Sequence, residues 1–282
     1  FELIRRFVSP QTGVIYISHR MPELKAITER ITVIRDGEKI GTVDTASTSM
    51  PEVIRMMVGR ELAAVDEVPA YTGSEEVVLE VESLTTRAKL CDVSFQLRRG
   101  EILGLAGLMG AGRTETARAI IGADPLSSGT VKINGRPVRI SSPSAAARLG
   151  ICYLSEDRKQ LGVLVGQSVR DNISLPSLTA FSRFGFISEG AIDEAARKYV
   201  STLKVKTPSI FQETDKLSGG NQQKVAIAKW LVKDCDIFIF DEPTRGIDVG
   251  AKAEIYQLLR ELSEQGKSII VISSELPEVL LL

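Results

Sequence analysis

Two segments of this chain hold the residue types that chemistry on a polyphosphate needs. The first, Gly107-Leu108-Met109-Gly110-Ala111-Gly112-Arg113-Thr114, follows the pattern G-x-x-x-x-G-K-[ST], except that Arg113 stands where lysine is expected. Glycines there remove the side chains that keep an anion off the backbone. The N–H groups of Met109 to Arg113 can therefore wrap a β-phosphate, and the helix that follows adds its positive end. Thr114 offers a hydroxyl to Mg²⁺, and Glu115 is counted with the nucleotide-binding residues. Arg113 keeps the charge of a lysine, but a planar fork binds oxygens two at a time and does not fit as a compact ammonium does. Nucleotide is expected to bind with its γ-phosphate held less well for in-line attack.

The second segment is the apolar run Ile237 to Phe240, which ends in Asp241-Glu242. Two acids closing a buried strand are costly unless they serve a cation or a proton transfer. Asp241 is expected to hold the Mg²⁺ shell, and Glu242 to accept a hydrogen bond from the attacking water and act as base. The competing reading is a solvated turn that caps the next helix. Upstream lies Leu217-Ser218-Gly219-Gly220-Asn-Gln-Gln-Lys224. Ser-Gly-Gly alone is an ordinary helix start; placed just before the two acids, its free N–H groups read as a second anion seat.

The elements around these segments are legible in coarse form. Val77 to Val81, Val93 to Leu97 and Val131 to Ile140 read as antiparallel strands, and Ile102 to Ala106 as a buried strand feeding the glycine loop. A helix is expected over Thr114 to Ile121, the strand–loop–helix context that a phosphate loop requires. Residues 157–224 are mostly helical in pattern, most clearly over Asp193 to Leu203. Ile237 to Phe240 and Ile269 to Ile272 are fully apolar strands joined by an amphipathic helix, Lys252 to Glu264, so the core is an α/β parallel sheet with crossover helices.

The chain also matches itself. Ile15-Tyr-Ile-Ser-His-Arg-Met-Pro-Glu23 aligns with Ile270-Val-Ile-Ser-Ser-Glu-Leu-Pro-Glu278, and Leu3 and Arg5 recur as Leu258 and Arg260. Residues 1–65 are accordingly expected to be the tail of a first module whose beginning is absent, followed by a linker over 66–76 and a second module over 77–282 that is truncated at its C-terminus. In the first part, Ile31 to Val43 reads as a hairpin around Asp36-Gly37, and Pro51 to Leu62 as a helix. His19, the chain's one histidine, follows an expected strand at Val14 to Ile17; its counterpart in the second module, Ser274, cannot carry positive charge to a γ-phosphate.

Composition sets the outer limits. With 35 basic and 36 acidic residues in 282, the formal net charge is −1, which gives no electrostatic case for a nucleic-acid partner. No stretch approaches the ~20 apolar residues a membrane span needs, and the opening residues lack a secretion-signal layout, so a chain soluble by itself is expected. Cys91, Cys152 and Cys235, widely spaced and odd in number, are expected as buried fillers in a reducing compartment.

Taken together, these residues resemble the ATP-binding subunit of bacterial sugar importers of the ribose and galactose type, in which two ABC cassettes are fused. The resemblance is closest at Asp92-Val-Ser-Phe, Gly100-Glu-Ile-Leu-Gly, Gly107 to Thr114, Ser155-Glu-Asp-Arg-Lys, Val205-Lys-Thr-Pro, Leu217 to Lys224, Asp241 to Lys252 and Ser273-Ser-Glu-Leu-Pro-Glu-Val. It implies a P-loop NTPase core with an antiparallel β-subdomain and a helical subdomain, and an ATPase that uses ATP and Mg²⁺. It implies cassettes that clasp ATP head to tail, so that Ser218, Gly219 and Gly220 complete the site of the other cassette, either the first cassette of the same polypeptide or a second copy. Asp248 resembles the acid that links the two sites, and His19 resembles the switch histidine of the first cassette. Implied partners are transmembrane permease subunits and, indirectly, a periplasmic sugar-binding protein, which places the protein on the cytoplasmic face of the bacterial inner membrane.

Departures from the family pattern gather in the second module. Arg113 replaces lysine, Ser274 replaces histidine, and Glu156 stands where a glutamine usually touches metal and water. No aromatic lies between Leu84 and Asp92 to stack on adenine. The expectation is a slow second-module site beside a faster first one. Two alternatives stay open: a soluble ABC ATPase acting on nucleic acid or the ribosome, and a non-catalytic nucleotide-binding cassette. The sugar is not legible.

Overall fold

The computed structural model describes residues 1–18, 21–35, 37–58, 73–108 and 110–282. These divide into two compact units, one lying within Phe1–Asp66 together with Asp248–Ala253, the other within Glu67–Ile247 and Glu254–Leu282.

The first unit contains α1 (Glu2–Phe7), α2 (Met21–Ile27), β1 (Arg30–Arg35), β2 (Glu38–Asp44) and α3 (Met50–Val58). β1 and β2 pair antiparallel, as the alternating run predicts, with a register shift at Val33/Ile34. Strand alternation turns Ile31 and Val33 inward to meet Leu24 of α2 and Val53 of α3, and Met21, Met50, Met56 and Met57 pack around that cluster. The expected strand at Val14 to Ile17 is absent. That segment joins no sheet, and Ile15 and Ile17 are each 93% exposed. Its physical reason is direct, because a strand needs a ladder and none forms beside it.

The second unit comprises β3 (Val77–Thr86), β4 (Val93–Arg98), β5 (Ile102–Ala106), α4 (Arg113–Ile120), β6 (Leu126–Ile133), β7 (Arg136–Val138), α5 (Pro143–Arg148), β8 (Ile151–Leu154), α6 (Val169–Ser174), β9 (Ser182–Arg183), β10 (Phe186–Ile187), α7 (Glu189–Thr202), α8 (Gly219–Val232), β11 (Ile237–Asp241), α9 (Val249–Glu264) from Glu254 onward, β12 (Ser268–Ser273) and α10 (Leu276–Leu280). One sheet is antiparallel, in the order β4-β3-β6-β7, and the other parallel, in the order β5-β12-β11-β8. Every residue of β11 and β12 is buried, the unbroken apolar pattern of a sheet covered on both faces. α4 lies against β3 and β11, and its Ala117, Ala119 and Ile120 join side chains of both sheets in one core.

Residues 157–224 hold the helices α6, α7 and the start of α8 from Gly219 to Lys224, with a π-type turn at Arg158–Gly162. Ser168 and Ser188 cap α6 and α7 by accepting from the Asp171 and Ala191 N–H groups. The helical reading missed the hairpin β9–β10, whose Phe184 and Gly185 both adopt positive φ, the turn that suits a two-residue hairpin. The expected strand over Val131 to Ile140 is likewise a hairpin, broken at Asn134-Gly135 with positive φ at both. Of the cysteines, Cys152 and Cys235 are buried as expected, while Cys91 is exposed on the β3–β4 connection. Among the described residues, no helix is long and apolar enough to cross a membrane.

Candidate nucleotide site

Parallel strands deliver their C-terminal ends to one edge, where a crevice for ligands forms in open α/β sheets. Here the four neighbours β5, β12, β11 and β8 end in Ala106, Ser273, Asp241 and Leu154. The next residues in each case are those the sequence marks: the loop from Gly107, Ser274, Glu242, and Ser155-Glu156.

The loop is built for close approach. Gly110 and Gly112 have φ of 85° and 96°, a region that favours glycine, and the Ala111 N–H donates to the Leu108 carbonyl at 3.0 Å. Gly112 caps α4, and Leu90 from the β3–β4 connection lies 3.1 Å from where a Cβ on Gly112 would stand. Leu108 is 86% exposed at the loop's outer side. Met109 lies outside the described residues. The Thr114 hydroxyl favours the charged form of Asp241, and Glu115 pairs with Lys89 at 2.5 Å, which holds its carboxyl below the usual range.

Asp241 is 1% exposed. Its Oδ2 accepts from the Tyr153 hydroxyl at 2.8 Å, while Oδ1 is buried with no protein partner. Burial raises the Asp241 pKa, and the charges of Glu156 and Glu242 push the same way against the Tyr153 bond and the Thr114 hydroxyl. A buried carboxylate oxygen left open, next to a hydroxyl, has the donor chemistry of a hard-cation ligand. Thr114 and Asp241 thus fit Mg²⁺. The Tyr153 hydroxyl is pushed well above its ordinary value, chiefly by burial and then by the Asp241 charge, so it stays a donor.

Glu242 adopts positive φ, 50°, and its N–H donates to the Ile272 carbonyl at 2.9 Å. A non-glycine residue held there is a strained position of the kind found at functional sites. Its Oε1 accepts from the Ser274 N–H at 2.8 Å and lies 3.6 Å from Arg113 Nη2. Arg113 Nη1 donates to the Ser273 carbonyl. The guanidinium expected to face phosphate therefore lies across the exits of β12 and β11, with only 12% of each side chain of the Arg113–Glu242 pair exposed. Ser274 reaches Glu242 through its backbone. Glu156 pairs with Arg245 at 2.5 Å.

The remaining candidates stand elsewhere. Ser218 is the N-cap of α8 but its hydroxyl accepts from the Asn221 side chain, and the neighbours of Gly219 are Arg158, Gly246 and Ile247; Gly220 is buried in the first turn. Asp248 Oδ1 accepts from the Ala251 N–H at 2.9 Å, a cap on α9. His19 lies outside the described residues. The sequence reading passed over Tyr153, whose partnership with Asp241 needs β8 to lie beside β11, and Lys89, whose charge stood in an unpatterned turn.

A glycine loop between strand and helix, facing an acid-tipped parallel strand, defines a P-loop nucleotide-binding cassette of the ABC ATPase fold. The chain belongs to the ABC transporter family, whose model matches residues 90–245. It is 57% identical over its whole length to a protein of Albidiferax ferrireducens named as a ribose/galactose/methyl galactoside import ATP-binding protein, and covers 56% of that relative. Relatives bearing the same name from Burkholderia cenocepacia and Rhizobium meliloti are 54% and 46% identical, over 99% and 98% of this chain and 55% of each relative. The chain thus spans about half the length of these curated relatives. Among solved structures it resembles a nucleotide-free ATP-binding cassette from an ABC transporter (TM-score 0.62, 20% identity, 72% of this chain and 84% of that one). A cassette of an ABC transporter in its ADP conformation is similar at TM-score 0.61, again 20% identical, over 72% of this chain and 83% of that one.

Proposed function

We propose that this chain carries a second ABC cassette, preceded by the tail of a first over residues 1–65 and a linker over 66–76, in an ATP-hydrolysing subunit that drives import of a ribose- or galactose-like monosaccharide. The observation that carries the nucleotide reading is the buried Asp241 carboxylate, one oxygen open, beside Thr114 and the glycine loop. The relatives' names support the sugar class and the direction of transport. The module division is supported by a recurring bond: Ser18 donates to Glu23 at 2.8 Å, and the aligned Ser273 donates to Glu278 at 2.5 Å.

Each residue has a task in this reading. Loop N–H groups from residues 110–113 orient the phosphates, and Glu242 aligns water and takes its proton. Thr114 and Asp241, together with Glu156, would hold Mg²⁺, which when bound would neutralise charge on phosphate oxygens. The site is slow for two reasons. Arg113 Nη2 lies 3.6 Å from Glu242 Oε1, so the carboxylate that must face water is already engaged by a cation. Ser274 brings no cation where His19 serves the first cassette. Ser218 to Gly220 and Asp248 act on the nucleotide of the other cassette, whether in the same polypeptide or a second copy. Permease subunits dock on the helical subdomain at the cytoplasmic face of the inner membrane. The exposed Phe184, Phe186 and Phe211 support such a partner surface, at 89%, 80% and 59% exposure. The periplasmic binding protein then acts indirectly, and no nucleic acid is involved.

The test is ATP turnover by the two-cassette protein with and without its permease. His19→Ala is expected to remove most turnover and Glu242→Gln only a minor share. The opposite ranking contradicts the slow-site reading, and no turnover in any preparation contradicts the ATPase.

A further inference from the structure

Among the described residues Glu278 is the most deeply buried carboxylate outside the site itself, at 3% exposure. An acid at that depth is expensive unless each oxygen is satisfied. Its Oε1 accepts from the Thr244 hydroxyl at 2.7 Å and its Oε2 from the Ser273 hydroxyl at 2.5 Å. Thr244 and Ser273 are themselves 1% and 0% exposed.

The positions of those donors matter more than their number. Thr244 lies two residues past Glu242, on the exit of β11, and Ser273 ends β12 just before Ser274. One carboxylate therefore ties together the two chain segments that supply Glu242, the Ser274 N–H bonded to it and the Ser273 carbonyl that takes Arg113. Glu278 is itself anchored. Its neighbour Val279 fills the space over Gly104 on β5, where a Cβ would collide with it. In the first unit Glu23 accepts from Ser18 and from Tyr16, each at 2.8 Å. The serine arm thus recurs, and at Glu278 a threonine arm also reaches the segment that follows Glu242.

We propose that Glu278 is a positioning residue for nucleotide hydrolysis: without touching nucleotide, it sets the spacing between the exits of β11 and β12 and so the orientation of Glu242. The inference rests on the ATPase reading above. Misplacement of a reacting group by about 1 Å costs on the order of a hundredfold in rate, so loss of the tie is expected to act on the chemical step rather than on binding.

Three variants separate positioning from mere support: Thr244→Val, which cuts only the arm to β11; Glu278→Ala, which cuts both; and Glu278→Gln, which keeps shape and one acceptor. Amide hydrogen exchange and ATP hydrolysis are measured on each. Thr244→Val and Glu278→Ala are expected to speed exchange at Ser274 by about tenfold or more while Ile239 and Ile270 stay protected. kcat should fall about tenfold to a hundredfold with KM within about twofold, and Glu278→Gln should recover a large part of it. Unchanged exchange at Ser274 overturns the proposal, and so does a rise at Ile239 and Ile270 in step with it, which would make Glu278 simply a prop of the fold. A wild-type protein that hydrolyses no ATP counts against the function proposed above, and exchange at Ser274 still decides the role of Glu278.

Discussion

The segment Val14–Ile17 and the strand β12 are two copies of nearly one sequence in opposite surroundings. Ile15 and Ile17 are 93% exposed, while their counterparts Ile270 and Ile272 are 1% and 0% exposed. What differs is the company. β12 has β5 on one side and β11 on the other, and its backbone bonds run to both. Among the described residues the earlier segment joins no strand, although its Ser18–Glu23 bond forms much as Ser273–Glu278 does. An apolar run thus states a demand for neighbours, and local hydrogen bonds at its end can form before that demand is met. In the proposed two-cassette protein the sheet of the first cassette would meet it.

Paired substitutions can break this comparison. Ile270→Ala should cost about 2–5 kcal/mol in denaturant unfolding, because it opens a cavity in a buried strand, whereas Ile15→Ala in this chain should change stability by under about 0.5 kcal/mol. If Ile15→Ala becomes as costly as Ile270→Ala in the two-cassette protein, the missing partner is that cassette; if it stays neutral there, the repeat is not a repeat of structure. The two units also differ in how they use a strand glycine. Gly104 faces the stiff, branched Val279, and Gly104→Ala should cost about 1–3 kcal/mol. Gly41 faces only the far methyl of Met56, which can swing aside, so Gly41→Ala should stay within about 0.5 kcal/mol by thermal unfolding.

Smaller effects sharpen the contrast at the strand exits. Arg113→Lys shortens the cation that now spans Ser273 and Glu242, and should raise single-turnover hydrolysis at this site about tenfold, or ~1.4 kcal/mol of barrier. Ser273→Ala leaves a buried Glu278 oxygen short of a donor and should cost about 1–2 kcal/mol; Ser18→Ala, in a half-buried setting, should cost about half that. Equal costs at the two serines would remove the distinction between a buried tie and a surface one.

Much of the site was legible because its chemistry is local. Glycines 107, 110 and 112 fall within one short loop and the acids at 241 and 242 are adjacent, and strand–loop–helix order places each set without knowledge of distant contacts. What escaped depended on neighbours in space. Tyr153 meets Asp241 only because β8 lies next to β11, and Arg113 reaches a carbonyl whose place is set by β12. The β9–β10 hairpin was hidden by brevity: two residues per strand carry no period, and Phe184-Gly185 was its one signal. Glu278 had been aligned with Glu23 by the repeat, yet a hydrogen-bonding role required knowing that Thr244 and Ser273 converge on it.

Calorimetric titration with a non-hydrolysable ATP analogue, with and without Mg²⁺, tests the nucleotide site most directly when wild type is compared with Asp241→Asn. Wild type should bind more tightly with Mg²⁺ than without, and Asp241→Asn should lose that difference while still binding the metal-free analogue. Absence of binding heat in wild type, or a metal dependence that survives in Asp241→Asn, would contradict the assignment of the open Asp241 oxygen to a nucleotide-bound cation.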